Sequence, residues 1–211
     1  MVGLQLEKVR TILCLGSHSD DIEIGCGGTI IKLLAENSSV DVFWVVFSAT
    51  DERAGEANRS AQLFLQKAHN KTIIVKKFRE TFFPYCATEI KEFFKKLQNE
   101  ISPDLIFTHR REDLHQDHRL VSELTWNTFR DHLIMEYEIP KYEGDLGRPN
   151  IFTKLSRQTC QQKVATIFNT FLTQRTKKWF SEDTFWALLR IRGVESNCEF
   201  AEGLYCRKLI V

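Results

Sequence analysis

Short apolar runs alternate, along the first half of the chain, with stretches in which apolar residues recur at helical spacing. Residues 11–15 (TILCL) are short and β-branched enough for a buried strand, which Gly16 ends. Gly25, Gly27 and Gly28 then lead into residues 29–34 (TIIKLL), the expected first turns of a helix. Residues 39–48 (SVDVFWVVFS) read as a second buried strand, and residues 49–52 open a helix with an acid-rich first turn, favourable to the helix dipole. Ala54, Ala57, Ala61, Leu63, Phe64 and Ala68 continue it. A third strand is expected at 72–75. Residues 87–101 form an amphipathic helix with Ile90, Phe93, Phe94 and Leu97 on one face. Ser102-Pro103-Asp104 breaks it before a fourth strand at 105–108.

This alternation of strand and helix predicts an α/β fold, a Rossmann-like three-layer α/β/α arrangement with a mostly parallel central sheet. Its connections would be right-handed, and a doubly wound order would make the first and fourth strands neighbours. Beyond residue 108 the pattern is less regular. A strand at 133–139 ended by Pro140, a loop over 141–150, helices over 157–173 and 184–192 and a closing strand at 204–211 are expected. With no repeat, low-complexity segment or linker, residues 1–211 read as one domain.

Composition narrows the function classes. Hydrophobic residues at 43%, charged residues at 27% and a net charge of +1 provide no general field for nucleic acid or an anionic membrane. An anionic substrate would have to be met by a local cluster of Arg or Lys. The six cysteines form no CxxC pair, no charged start precedes an apolar stretch, and no apolar run is long enough to span a bilayer. The expectation is a cytoplasmic enzyme with reduced thiols, no nucleic-acid partner and no integral membrane segment. Trp179-Phe180 and Phe185-Trp186 suit core packing or a contact between copies of a homo-oligomer.

Two polar clusters fall at the ends of predicted strands, where open α/β sheets bind ligands. His18, Asp20 and Asp21 follow the first strand; residues 108–119 (THRREDLHQDHR), after the fourth, hold three of the six histidines. His115 and His118 would share a helix face and Asp117 would not, so a loop running into a helix start is expected. His18, Asp20, Asp21, His115, Asp117 and His118 would meet across adjacent strand ends. A catalytic zinc site takes three protein ligands and leaves a position for water. Two histidines and one carboxylate supply that set, leaving a carboxylate to take a proton from water and a histidine to protonate a leaving group. That is the inventory for hydrolysing an amide or ester. Spacing alone also admits two polar loops with capping aspartates and surface histidines.

Residues 18–28 (HSDDIEIGCGG) resemble the first motif of the PIG-L/LmbE family of zinc-dependent N-deacetylases, and His115-Gln116-Asp117-His118-Arg119 resembles its later His-x-Asp-His motif. Residues 137–141, 144–150, 192–195 and 200–202 look like further segments of that family, so the likeness covers nearly the whole chain. The resemblance implies His18, Asp21 and His118 as zinc ligands and Asp20 as the general base. It implies His115 as the residue that stabilises the tetrahedral intermediate and assists amine departure, with Asp117 orienting it and favouring its protonated form. Fe²⁺, Co²⁺ or Ni²⁺ would also suit such ligands. The implied substrate is a small N-acylated amine, sugar-based, losing an N-acetyl or other short acyl group. A Rossmann-like binding protein without catalysis and a metallohydrolase acting on another bond are the alternatives.

The sequence departs from the family pattern at Ser19 and Gln116, where proline is frequent, and at Arg59-Ser60-Ala61-Gln62, which falls where many members have Arg-x-x-Glu. Arg59, Arg148 and Tyr142 are the candidate substrate contacts. Arg110 and Arg111 are solvated charges or cleft-mouth contacts, and His109 is expected to lie outside the ligand set. The Gly25–Gly28 cluster lacks dinucleotide-loop spacing and is expected to let the backbone pass closely behind the metal loop.

Overall fold

The structure, a computed structural model, describes residue 6 and residues 8–210. Seven strands form one sheet: β1 (Thr11–Gly16), β2 (Asp41–Val46), β3 (Asn70–Val75), β4 (Leu105–His109), β5 (Leu133–Tyr137), β6 (Ile151–Leu155) and β7 (Phe200–Cys206). Their order is β3-β2-β1-β4-β5-β7-β6. The first five are mutually parallel, β7 runs antiparallel to β5, and β6 runs antiparallel to β7. Strand β1 lies between β2 and β4, so the two polar clusters emerge side by side at the point where the strand order reverses.

Among the described residues six α-helices accompany them: α1 (Asp21–Glu36), α2 (Asp51–Phe64), α3 (Ala87–Glu100), α4 (Gln116–Thr128), α5 (Arg157–Thr170) and α6 (Glu182–Glu195). Alternation along β1 explains the layers. Ile12 and Cys14 join an apolar cluster with α1, α2, α5 and α6, while Leu13 and Leu15 join one with α3 and α4. On α3, Ile90, Phe94 and Leu97 are fully buried, and Phe93 is partly so, as their spacing predicts. Phe180 and Phe185 are core residues, with Trp179 and Trp186 packed against the same cluster.

Three elements differ from the sequence expectation. Helix α1 begins at Asp21 rather than after the glycines, so Gly25, Gly27 and Gly28 lie inside it. A Cβ on Gly25 would run into the Tyr137 ring and one on Gly27 would come within 2.5 Å of Phe64. The glycines therefore set how closely α1 packs, on a helix whose identity is settled by tertiary contact against its own propensity. Strand β6 falls on residues that carried no strand signal. Leu155 alone is buried there, so the two-residue period is weak. The closing strand begins four residues earlier than expected and ends at Cys206; residue 211 lies outside the described residues.

Among the described residues no helix is long and apolar enough to cross a membrane, and all six cysteines are free.

Candidate metal and catalytic site

The turn from β1 into α1 presents His18, Asp20 and Asp21, and the segment from β4 into α4 presents His109, Asp113, His115, Asp117 and His118. Asp20 stands at the N-cap position of α1 without making a side-chain cap bond, and Asp21 is the first helical residue. At α4, His115 is the cap: its Nδ1 accepts from the Asp117 backbone N–H at 3.2 Å. The next turn of α4 then brings His118 inward.

His18 Nδ1 lies 3.2 Å from His118 Nε2 and 3.4 Å from Asp21 Oδ2, and His118 Nε2 lies 3.6 Å from Asp21 Oδ2. Two tetrahedral zinc ligands at bond lengths of ~2.05 Å sit roughly 3.3–3.4 Å apart, so the three atoms already form one face of such a shell. The outward nitrogens of both rings are held by carboxylates. His18 Nε2 meets Asp117 Oδ2 at 3.1 Å and His118 Nδ1 meets Asp113 Oδ2 at 3.0 Å. A carboxylate behind each ring fixes the tautomer that aims the other nitrogen at a cation. His18, Asp21 and His118 fit a divalent ion.

Other donors lie close by. His115 can join His18 and His118, and His109 can join Asp21 and His118, with one donor atom each within 4.8 Å. His109 is fully buried and stacks on His118 with ring centroids 3.9 Å apart. Its Nε2, 3.2 Å from Asp21 Oδ2, accepts the Ser17 backbone N–H at 3.0 Å, so its lone pair is engaged and it braces the cluster.

Burial and neighbours set the protonation pattern. Burial alone would lower the His18 pKa, but Asp21 and the hydrogen bond to Asp117 outweigh it and raise it to about 10. Burial and His109 lower His118 to about 3, against the pull of Asp21 and Asp113. Asp21 is held well below the usual carboxylate range: burial opposes ionisation, but His118, His109 and His18 overcome it. Asp20 is shifted the other way, upward, by burial and by Asp21 beside it, with Arg53 offsetting part of the shift.

The contacts of the Asp117 carboxylate run to His18 rather than to the His115 side chain. The same carboxylate accepts from the backbone N–H groups of Thr81 at 2.7 Å and Phe83 at 3.2 Å, and only the Asp117 backbone N–H serves His115. His115, half-buried, is lowered by desolvation and by His18, with Asp117 pulling the other way, so its neutral form is favoured. Because Nδ1 accepts the cap bond, Nε2 carries the proton. Thr81 adopts φ 66°, a strained conformation for a β-branched residue, where its N–H meets Asp117.

Arg59 lies exposed on α2. Six residues earlier Arg53-Ala54-Gly55-Glu56 carries the Arg-x-x-Glu spacing intact. Arg53 Nη2 lies 3.7 Å from Asp20 Oδ1, its Nε donates to Ser19 Oγ at 3.1 Å and its Nη1 to Glu80 at 2.6 Å. Glu56 is buried and accepts from Thr173 N–H at 2.9 Å and Thr173 Oγ–H at 2.6 Å. Arg53 is therefore a site residue that sequence reasoning passed over, although its spacing was a usable signal. The two positions that depart from proline gain polar partners, Ser19 with Arg53 and Gln116 with the Thr81 carbonyl. Asp113 and Lys141 were also passed over. Lys141 Nζ donates to Asp113 at 2.9 Å and to both oxygens of Asp145 at 2.6 and 2.7 Å. Tyr142 and Arg148, in the same loop, are exposed; Arg148 lines a separate cleft with Arg110.

Solved structures share this architecture. The chain is similar to N,N'-diacetylchitobiose deacetylase from Pyrococcus horikoshii (22% identity, 94% of this chain and 84% of that one, TM-score 0.67). It is similar to the 4-carboxy-2-hydroxymuconate hydratase of Pseudomonas putida (18%, 96% and 98%, TM-score 0.72). It is also similar to the zinc-inhibited form of teicoplanin deacetylase (12%, 93% and 97%, TM-score 0.70). No curated protein matches the sequence. Likeness at these identities fixes the architecture and leaves the reaction to the side chains. The sequence itself supplies the assignment: residues 13–129, which include the whole His/Asp cluster, match the model described as GlcNAc-PI de-N-acetylase, PIG-L, and the chain belongs to that family.

Proposed function

We propose that this protein is a metal-dependent N-deacetylase, with zinc held by His18, Asp21 and His118, that removes an acetyl or other short acyl group from an amino sugar or related amine. The observation that carries the reading is the triangle of donor atoms at 3.2, 3.4 and 3.6 Å, with both histidines backed by carboxylates and Asp20 outside it. A bound divalent ion supplies Lewis acidity, which acidifies water and polarises an acyl carbonyl.

The chain's own groups divide the remaining work. Asp20, pushed upward by burial and by Asp21, is a stronger base than an ordinary carboxylate and takes the proton from the attacking water. Arg53 holds it in place. His115, neutral with its proton on Nε2, donates to the carbonyl oxygen as negative charge develops there. The proton on Asp20 passes to the nitrogen as the C–N bond breaks, so amide and water become amine and carboxylic acid. Asp117 and Asp113 orient the two histidine ligands. Arg59, Arg148 and Tyr142 remain the proposed substrate contacts; Arg148 lines a cleft with Arg110.

The test is acetate release from a panel of N-acetylated amino sugars, run beside phosphoesters, for the wild type and Asp20→Asn. Acetate from at least one sugar, with turnover falling about 100-fold or more in Asp20→Asn while its metal is retained, is the expected result. An active Asp20→Asn enzyme, or turnover of phosphoesters alone, overturns the assignment.

A further inference from the structure

The reacting groups make no use of an ion pair buried against α1. Lys163 of α5 and Glu202 of β7 meet at 2.6 Å, both side chains almost wholly hidden from solvent. Taking two charges out of water is costly, and well-packed apolar residues of similar volume are often as stable. Stability alone therefore does not account for the pair. Where its hydrogen bonds go is more informative.

In a regular α-helix the N–H of residue 28 serves the carbonyl of residue 24. Here the Ile24 carbonyl accepts from Lys163 Nζ at 2.7 Å, and the Gly28 N–H donates to Glu202 Oε1 at 2.8 Å. The ion pair thus spans both ends of one rung of α1. Glu202 Oε2 also accepts from the Thr29 N–H and the Thr29 hydroxyl, each at 2.6 Å. Gly28 admits the carboxylate this closely, since a Cβ there would stand 2.9 Å from Glu202 Oε1 and 2.5 Å from Leu155. A side chain that works into the ladder loosens the rung and lets the turns on either side tilt. The direction of the first turn of α1 then depends on what α5 and β7 present to it.

That first turn carries reactive groups. Asp20 is its N-cap and Asp21 its first residue. The Ile24 N–H donates to the Asp20 carbonyl at 3.1 Å, so Lys163 holds the residue that holds Asp20. Asp21 Oδ2 must also come within 3.6 Å of His118 Nε2, which belongs to another helix. Such a meeting needs each helix start to be seated independently. We infer that Lys163 and Glu202 are positioning residues for the metal site. They seat the first turn of α1 so that Asp21 Oδ2 reaches the ligand nitrogens of His18 and His118, with Asp20 beside them. The inference goes beyond the deacetylase reading and rests on it only for Asp21 as a ligand and Asp20 as the base.

The test removes both charges together. In Lys163→Met/Glu202→Leu the Gly28 N–H and the Ile24 carbonyl are free to form the ordinary rung, so α1 keeps its ladder. The metal-free wild type, this double variant and His118→Ala are titrated calorimetrically with Zn²⁺, and their Co²⁺-loaded forms are compared by visible absorption. The double variant is expected to unfold thermally close to the wild type, with Zn²⁺ affinity at least about tenfold lower and Co²⁺ bands changed in position or intensity. Unchanged affinity and unchanged Co²⁺ bands in the folded double variant overturn the inference and leave the pair purely structural. If the double variant does not fold, Glu202→Gln keeps the shape and loses the charge. Its Zn²⁺ affinity is expected to fall as well, and an unchanged affinity there overturns the inference too. Zinc retained by His118→Ala overturns the ligand set and the inference with it, whereas zinc lost there and kept at full affinity in the double variant overturns the inference alone.

Discussion

His18 and His118 face each other with Nδ1 and Nε2 3.2 Å apart, and the far nitrogen of each ring is bonded to its own aspartate. Two imidazoles held in this way need either a shared proton or a cation between them. The first expectation follows directly. Purified protein carries about one divalent metal ion per chain by elemental mass spectrometry, and His118→Ala carries none. Retention of the metal in His118→Ala would remove His118 from the ligand set.

The pH dependence of metal uptake follows from His18. Without metal its pKa is raised to about 10, above the ordinary 6.5, because Asp21 and Asp117 favour the cation more than burial opposes it. At neutral pH that proton is bound, and a metal taking Nδ1 must displace it. Apparent affinity therefore rises about tenfold per pH unit below the raised pKa and levels off above it. Calorimetry at pH 7 in buffers of different ionisation enthalpy is expected to show release of about one proton per metal ion. Affinity that falls between pH 6 and 8 would contradict the sign.

Asp113 separates support of a ligand from support of the fold. It accepts from His118 Nδ1, from Lys141 and, at 2.8 Å, from the His115 backbone N–H, and Lys141 keeps both oxygens of Asp145 when Asp113 is removed. Asp113→Ala thus leaves no unpaired cation and deprives His118 of its orienting partner. Metal affinity is expected to fall about 10- to 100-fold, with only a modest loss of metal-free stability, about 1 kcal/mol, from the freed His115 N–H. A large loss of stability with unchanged affinity would make Asp113 a purely structural residue.

Much of this site could be read in the chain because both motifs are local. His18, Asp20 and Asp21 lie within four residues, and His115, Asp117 and His118 also lie within four, at the ends of strands whose apolar runs were plain. What stayed hidden depends on contacts far apart in sequence. Asp117 meets His18 across 99 positions, so its turn away from His115 had no local signature. Lys141 reaches Asp113 from a loop with no periodicity to place it. The start of α1 was obscured by the opposite effect. Glycine normally argues against helix, but Gly25 and Gly27 are required there by the rings of Tyr137 and Phe64.

The two kinds of helical glycine give opposite stability changes. Gly25→Ala forces a methyl group into the buried Tyr137 ring, whose hydroxyl donates to the Leu15 carbonyl at 2.7 Å and cannot yield freely. It is expected to destabilise by about 1–3 kcal/mol. Gly55 lies inside α2 with open space where a Cβ would stand. Gly55→Ala is expected to stabilise by roughly 0.5–1 kcal/mol, through helix propensity. Denaturant unfolding of the metal-free variants measures both, and the same sign for the two would refute the packing argument.

Arg53 offers the sharpest test of Asp20 as the base. Burial and the neighbouring Asp21 raise the Asp20 pKa, and the Arg53 guanidinium at 3.7 Å lowers it in part. Arg53→Gln removes the charge, so the Asp20 pKa rises further. A base acts only when deprotonated, and its pKa sets the acid limb of kcat/KM against pH. That limb should move to higher pH in Arg53→Gln, with activity at acidic pH falling more than activity on the plateau. Glu80 loses its partner as well, but it is largely exposed and can be met by solvent. A merely structural role for Arg53 would lower the whole profile without moving the limb. A limb displaced to higher pH ties the arginine to the ionisation of Asp20, and a limb displaced to lower pH would mean that another group supplies the base.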